Sequence, residues 1–163
     1  MRLESVEEYL KTGYDPDVEF VDGVLVERNA GEWSHSMVQS NVLFALRRKY
    51  SHLKVVAGLR SQVTDTRFRL PDVCVLQAAP TTKYLADAAF LVVEVLSEGD
   101  VMSVVIEKLR EYARKGVPHI WLIDPRLQLV WMYLPPNLVE VDGDVVSSGD
   151  GAIELSHGEI FAE

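Results

Sequence analysis

The chain has 163 residues, of which 48% are hydrophobic, enough for one domain to bury a continuous core. It carries 25 acidic and 16 basic side chains, and this net charge of -9 at pH 7 argues against a protein that holds nucleic acid mainly by neutralising phosphates. The acidic start of the chain, the lack of an apolar run of about 18 to 20 residues and the single cysteine predict one cytoplasmic domain over residues 1–163, without a signal peptide, a membrane span or an internal disulfide.

The N-terminal segment is expected to form a short helix and a β-hairpin. Ser5 followed by Glu8 is a capping-box pattern, which predicts a helix that ends at about Lys11. In VEFVDGVLVE, two β-prone arms surround Asp22 and Gly23, and this dipeptide favours a two-residue hairpin turn.

A long amphipathic helix is predicted next, over HSMVQSNVLFALRRKY, with Ser34 as its N-cap. His35 and Gln39 share the side of this helix that carries its apolar positions, so both are expected at the edge of a buried face. Capping or packing is the favoured role of His35, because none of the four histidines has the spacing of a zinc site.

The middle of the chain has the pattern of β-strands. From Lys54 the apolar period changes to two, which predicts adjacent strands over KVVAGLRSQVT and RFRLPDVCVL, with TDT as the turn between them. Residues 78–88 are expected to form an irregular or weakly helical connection. AFLVVEVL is almost continuously apolar, and this predicts a central strand covered on both faces.

The last third of the chain predicts a crossover helix and further strands. A helix is expected over VMSVVIEKLREYARK, ended by Gly116, and two strands over VPHIWLID and LQLVWMYL, joined by a tight turn at Pro125. VEVDGDVV in the tail predicts another hairpin. Residues 89–124 would form a βαβ unit with parallel strands. The predicted fold class is therefore α/β, of the α+β mixed-sheet kind, with helices on the faces of a central sheet and an N-terminal helix and hairpin.

Two carboxylates occupy positions where these strands need apolar residues. Glu94 shares one side of its strand with Phe90, Val92 and Leu96, and a buried carboxylate is costly unless it is paired or bound to a cation. Asp72 likewise alternates with apolar residues and follows Pro71, which cannot donate to a ladder and indicates an edge or a bulge.

Lys108 is the third ionisable residue in an apolar setting. At 100° per residue from Val101, Val105 lies at about 40°, Lys108 at about -20° and Tyr112 at about 20°, so Lys108 lies in the apolar stripe of its helix. Its ammonium either extends along the helix to solvent or points at a buried anion. If it points inward, two carboxylates and an ammonium converge on one sheet. Such a group suits Mg²⁺ or Mn²⁺ and phosphodiester hydrolysis.

These residues carry a resemblance to known nucleases. Pro71 and Asp72, followed by VVEVLS at 92–97, resemble the PD-(D/E)XK restriction-endonuclease superfamily, in which a lysine normally stands two residues after the glutamate; position 96 here is Leu. The run from VEFVDGVLVE through RLPDVCVL and VVEVLSEGD to EKLREYARKGVPHIWLIDP is similar to the Uma-type putative restriction endonuclease family, in which the lysine has migrated to the following helix. Lys108 in EKLREY stands at that position.

The resemblance implies a restriction-endonuclease-like core and a catalytic set of four residues: Glu19, Asp72, Glu94 and Lys108. It implies Mg²⁺ or Mn²⁺ held by Asp72, Glu94 and Glu19, and DNA as the substrate. Without the resemblance, Glu19 would be interpreted as an exposed strand residue before a turn. Ser97 and Asp100 also match the family, but an N-cap signal for the helix from about residue 100 is the favoured interpretation of both.

Charge distribution leaves the mode of substrate binding open. Residues 47–83 carry eight bases against two acids, whereas the flanking segments are acidic. This stretch is either a solvated basic surface or a surface that binds the phosphates along a nucleic-acid backbone.

Three functions are considered for the chain. The leading hypothesis is a metal-dependent DNA endonuclease. The second is a catalytically silent nuclease-like module that binds nucleic acid or a protein partner, and the third is hydrolysis of another phosphate ester. The apolar, aromatic edge predicted over LVWMYL also favours a homodimer.

Overall fold

The computed structural model describes residues 2–29 and 31–163. The helices are α1 (Val6–Lys11), α2 (Trp33–Lys49), α3 (Met102–Lys115) and α4 (His157–Phe161). The strands are β1 (Glu19–Val21), β2 (Val24–Val26), β3 (Lys54–Val56), β4 (Ser61–Thr64), β5 (Arg67–Arg69), β6 (Val73–Leu76), β7 (Leu91–Val95), β8 (His119–Asp124), β9 (Leu129–Leu134), β10 (Asn137–Glu140), β11 (Val145–Ser148) and β12 (Ile153–Ser156).

A six-stranded mixed sheet in the order β10-β9-β8-β7-β6-β3 forms the centre of the fold. β7 and β8 run parallel and are joined by α3, whereas the other neighbours in this sheet are antiparallel. Every residue of β7 is buried, because α2 packs on one face of the sheet and α3 on the other. The predicted α/β mixed sheet with flanking helices and the predicted βαβ unit are confirmed.

A smaller sheet in the order β2-β1-β5-β4 carries the N-terminal hairpin. The two long strands predicted for the middle of the chain are each divided between the sheets, with β4 and β5 in the small sheet and β3 and β6 in the large one. Pro71 lies in the break between β5 and β6, where its missing N–H removes a ladder hydrogen bond. Gly58, at φ +68°, lies in the break between β3 and β4.

Two of the predicted helix ends agree with the structure, and one predicted cap does not. Ser5 caps α1 by accepting a hydrogen bond from Glu8 N, and Gly116 ends α3 in a left-handed conformation at φ +108°. The N-cap of α2, however, is Glu32, with no side-chain cap, so the prediction for Ser34 is wrong. α2 begins at Trp33, one residue before the predicted cap.

The C-terminal tail differs from the prediction. The strands around VEVDGDVV do not pair with each other: β10 pairs with β9, and β11 pairs with β12. The apolar residues of β11, β12 and α4 pack with α2 on one face of the large sheet, and this burial outweighs the local turn signal. β9 is paired on both sides, so the edge expected over LVWMYL is provided by β10 instead.

Within residues 2–29 and 31–163, no helix has both the length and the apolar character that a membrane crossing requires.

Candidate active site

A cleft of about 570 Å³ brings together the four residues that the sequence singles out. Glu19 begins β1, Asp72 lies in the break between β5 and β6, Glu94 lies on β7 and Lys108 on α3. The three carboxylates are almost completely buried in the protein, but all four side chains line the cleft. Residues from 19 to 108 in the sequence therefore meet at one point of the fold.

Asp72 is fixed at the end of β7 by backbone contacts. Its Oδ2 accepts a hydrogen bond of 2.7 Å from the N–H of Val95, the residue that follows Glu94. Gln39 of α2 donates through Nε2 to the carbonyl oxygen of Asp72 at 2.9 Å. The break after Pro71 thus turns the carboxylate of Asp72 toward β7 and places it beside Glu94.

The other oxygen of Asp72, Oδ1, faces two cationic groups. Arg28, which follows β2, donates to it through Nη2, and His35 Nε2 lies 3.3 Å away. Burial would raise the pKa of Asp72, but the hydrogen bond from His35 and the charge of Arg28 outweigh it and lower this pKa. His35 therefore contacts the carboxylate. Of the two roles favoured from the sequence, it does not cap α2, and its side chain is largely buried at the start of that helix.

Glu94 is the carboxylate with the least compensation. Burial and the neighbouring charge of Asp72 raise its pKa to about 8, although the charge of Lys108 acts in the opposite direction. Tyr112 of α3 donates its hydroxyl proton to Oε1 at 2.6 Å. Within the described residues, Oε2 makes no hydrogen bond and no buried side-chain oxygen lacks a partner. We infer that Oε2 reaches the cleft.

Lys108 points inward rather than along the helix to solvent. Its Nζ lies 3.1 Å from Glu19 Oε1, and its side chain is only 19% exposed. Burial would lower the pKa of Lys108, but the negative charges of Glu94 and Glu19 outweigh it and raise this pKa. The ammonium is therefore a permanent cation at neutral pH.

Glu19 is held by donors on both of its carboxylate oxygens. Oε1 accepts from Leu70 N at 3.1 Å and faces Lys108, and Oε2 accepts from Arg69 Nη1 at 3.1 Å. Arg69 is fixed in turn by Glu111 of α3, which accepts from its Nε at 2.7 Å and its Nη2 at 3.0 Å. Glu19 would have to give up one of these partners to bind a metal ion directly.

Ser97 and Asp100 line the cleft but do not cap α3. The N-cap of α3 is Val101, without a side-chain cap, so the prediction for both residues is wrong. Asp100 instead accepts from Ser97 N at 2.7 Å and from Asn29 Nδ2 at 2.6 Å. These bonds hold the β7–α3 loop against the segment that carries Arg28.

Half of the bases in the basic stretch 47–83 are held in ion pairs within the protein. Within the described residues, these bases and their partners are Lys49 with Glu159, Arg60 with Asp17, Arg67 with Asp22, Glu107 and Glu111, and Arg69 with Glu19 and Glu111. The cleft itself is lined by six carboxylates but only by Arg28, Lys108 and His35 as cationic or ionisable bases. These ion pairs leave Arg47, Arg48, Lys54 and Lys83 as the bases of this stretch that form no ion pair within the described residues.

The donors in the cleft suit a hard cation. Asp72 and Glu94 offer carboxylate oxygens, and Mg²⁺ commonly uses one or two carboxylates together with waters and substrate oxygens. In the part of the chain that the structure describes, no three Asp, Glu, His or Cys side chains stand ready to hold a metal ion together. Two carboxylates with one free oxygen, Glu94 Oε2, fit the chemistry of Mg²⁺ or Mn²⁺.

Sequence reasoning missed four residues that complete the site: Arg28, Arg69, Glu111 and Tyr112. Two of them carried a usable signal in the helix geometry that places Lys108 on the apolar stripe: Tyr112 lies at about 20°, within the stripe, and Glu111 at about -80°, beside Val104. Arg28 lies outside any helix or strand, so no periodicity applies to it.

Comparisons with known proteins assign the chain to a family. The Uma2 family, described as "Putative restriction endonuclease", matches residues 4–162. The chain is also similar to the crystal structure of a putative nuclease belonging to DUF820 from Anabaena variabilis ATCC 29413, with a TM-score of 0.81, 21% identity and 96% of each chain covered. A DrdV–DNA complex matches at a TM-score of 0.33 and 12% identity, over 78% of this chain and 85% of that chain, which is too weak a likeness to carry an argument. No curated protein matches the chain.

The family match extends over nearly the whole chain, and the structural match shows that the fold is shared with the DUF820 protein. The resemblance predicted from the sequence is thereby confirmed: the chain belongs to the Uma2 family of putative restriction endonucleases.

Proposed function

We propose that this protein is a metal-dependent nuclease that hydrolyses phosphodiester bonds of DNA at the site formed by Glu19, Asp72, Glu94 and Lys108. The observation that carries the proposal is the meeting of Asp72, Glu94 and Lys108 in one cleft. A buried carboxylate whose pKa is raised to about 8 is costly to a fold, and a nearby cation would relieve that cost. The nuclease family supports the same reaction class.

Asp72 and Glu94 are the residues that would hold Mg²⁺ or Mn²⁺. When bound, such an ion supplies a Lewis acid for a phosphoryl oxygen and an ionised water near neutral pH. Glu94 contributes Oε2, and Tyr112 orients its carboxylate through Oε1. The Val95 N–H orients Asp72 through Oδ2, which leaves Oδ1 as the oxygen directed at the cation.

Lys108 stabilises the charge that develops on the phosphate. Water attacks phosphorus, the bond from phosphorus to a sugar oxygen breaks, and negative charge accumulates on the phosphoryl oxygens. A protonated ammonium in a water-poor cleft stabilises this charge. Glu19 and Arg69 hold the ammonium in place, so Glu19 acts mainly as a positioning residue for Lys108.

The proposal is tested with purified protein and circular plasmid DNA in Mg²⁺ and in EDTA. We expect cleavage only with the metal, and a loss of at least about 100-fold in rate for Asp72→Asn, Glu94→Gln and Lys108→Met. Matched controls are Asp65→Asn and Arg110→Met, which change exposed residues outside the cleft and should cleave like wild type. Equal cleavage by the three site variants with an unchanged Tm would overturn the proposal.

A catalytically silent module is the second candidate, and the excess of carboxylates lining the cleft favours it. It predicts no cleavage of any DNA and no shift of Tm with Mg²⁺. Small phosphodiesters offered in the same assay separate DNA cleavage from hydrolysis of another phosphate ester.

We also propose a homodimer, because two sites in one assembly would suit cleavage of both strands of a duplex. The exposed Leu134 and Val139 at the β9–β10 edge are its simplest contact surface. Light scattering should give twice the mass of the 18.3 kDa chain, and the mass of one chain would contradict this assembly.

A further inference from the structure

Arg28 occupies the place on Asp72 that a metal ion needs. Oδ2 of Asp72 is taken by the Val95 N–H, so Oδ1 is the oxygen left for a cation. Arg28 Nη2 donates to that same oxygen, and His35 Nε2 lies 3.3 Å from it. A guanidinium has donors only, so it and a metal ion cannot share this side of the carboxylate.

The contact of Arg28 is also one that can be released. Arg28 lies between β2 and α2, outside regular structure, and Asp72 is the one hydrogen-bond partner of its side chain within the described residues. Its side chain is 28% exposed and lines the cleft. Arg69 provides the contrast, since it is 3% exposed and bound by Glu111 and Glu19 together.

We propose that Arg28 closes the metal site in the metal-free protein and, when a divalent cation takes Asp72 Oδ1, turns into the cleft to bind the phosphate that is cut. This inference rests on the proposed function. Arginine binds phosphate through two parallel hydrogen bonds, and the only other basic side chains that line the cleft within the described residues are Lys108 and His35. One side chain then links metal binding to substrate binding.

The first readout is Mn²⁺ affinity, measured by calorimetry without substrate. Arg28→Met removes the competitor and should bind Mn²⁺ at least about 5-fold more tightly than wild type. Arg28→Lys keeps a cation but loses the planar guanidinium group, so its Mn²⁺ affinity should lie between those of wild type and Arg28→Met. Arg110→Met, an exposed arginine outside the cleft, should leave the affinity unchanged.

The second readout is DNA cleavage at saturating Mg²⁺. Arg28→Met should lower kcat/KM at least about 10-fold, so metal affinity and catalytic efficiency change in opposite directions, which a merely structural role would not produce. Wild type that binds Mn²⁺ while Arg28→Met binds it no more tightly would overturn the inference and leave the proposed function standing. Failure of wild type and of Arg28→Met to bind Mn²⁺ would overturn the inference and the proposed function together. If Arg28→Met does not fold, Arg28→Lys replaces it in both measurements.

Discussion

Glu94 is the residue at which the energetic cost of the site is concentrated. Its pKa is raised from 4.5 to about 8 by burial and by Asp72, so the folded protein retains a proton that the unfolded chain releases. The stability that this proton confers is complete below about pH 4.5 and is lost as pH rises through about 8. Glu94→Gln has no such loss. We therefore expect the stability of the variant relative to wild type to rise by roughly 4 kcal/mol between pH 5 and 9.

Urea unfolding in EDTA measures this difference. Glu140→Gln on the exposed β10 strand is the matched control and should follow wild type at both pH values. Parallel pH curves for wild type and Glu94→Gln would show that Glu94 is ionised in the fold at pH 5, against the pKa that its burial indicates.

At the residue scale, helix geometry identifies Lys108 as a candidate site residue, and strand alternation identifies Glu94. Both are ionisable residues at positions of regular elements where an apolar residue is expected. Arg28 could not be predicted in this way. It is brought to Asp72 across 44 positions of sequence by the packing of the hairpin, which no local pattern encodes.

At the scale of elements, a buried ion pair joins β5 to α3. Arg69 and Glu111 are 2% and 6% exposed and share two hydrogen bonds. Arg69→Met leaves Glu111 buried without this partner and should cost about 3–5 kcal/mol, whereas Arg69→Met with Glu111→Met should recover a large part of the loss. Lys49→Met, at the more exposed ion pair with Glu159, should cost about 1 kcal/mol or less. Urea unfolding of the four proteins gives these values.

A double variant as unstable as Arg69→Met alone would contradict this account of the pair. The pair also holds Glu19, and through it Lys108, so it connects the stability of α3 with the geometry of the site.

Element boundaries were predictable where a local signal agrees with tertiary packing. Ser5 and Gly116 mark the ends of helices in this way. The elements of the C-terminal tail were not predictable in this way, although Ser156 and Glu159 form a capping box at the start of α4. α4 is only five residues long and is stabilised by packing on α2, which periodicity over so short a segment cannot reveal.

At the scale of the whole molecule, charge limits how the protein can hold DNA. The net charge is -9, and ion pairs consume Lys49, Arg60, Arg67 and Arg69 of the basic stretch. We expect weak duplex binding in EDTA, tighter binding with Mg²⁺, and a salt dependence that corresponds to about four phosphates or fewer. Fluorescence anisotropy at several salt concentrations measures this slope. A slope equivalent to eight or more phosphates would show a basic surface that this fold does not present.

The composition gives the sign of the net charge but not the arrangement of the charged side chains. Whether a base faces solvent or a buried carboxylate depends on which strands become neighbours. Arg69 is buried and Lys54 is exposed, although both are basic residues in segments with a strand pattern.

The central claim is that Asp72 and Glu94 hold a divalent cation beside Lys108. A crystal soaked in Mn²⁺, with anomalous diffraction collected at the manganese edge, tests it directly. We expect one manganese peak in contact with Asp72 Oδ1 and Glu94 Oε2, with Arg28 displaced from Asp72. A map with no peak between these two carboxylates, and with Arg28 still paired to Asp72, would contradict it.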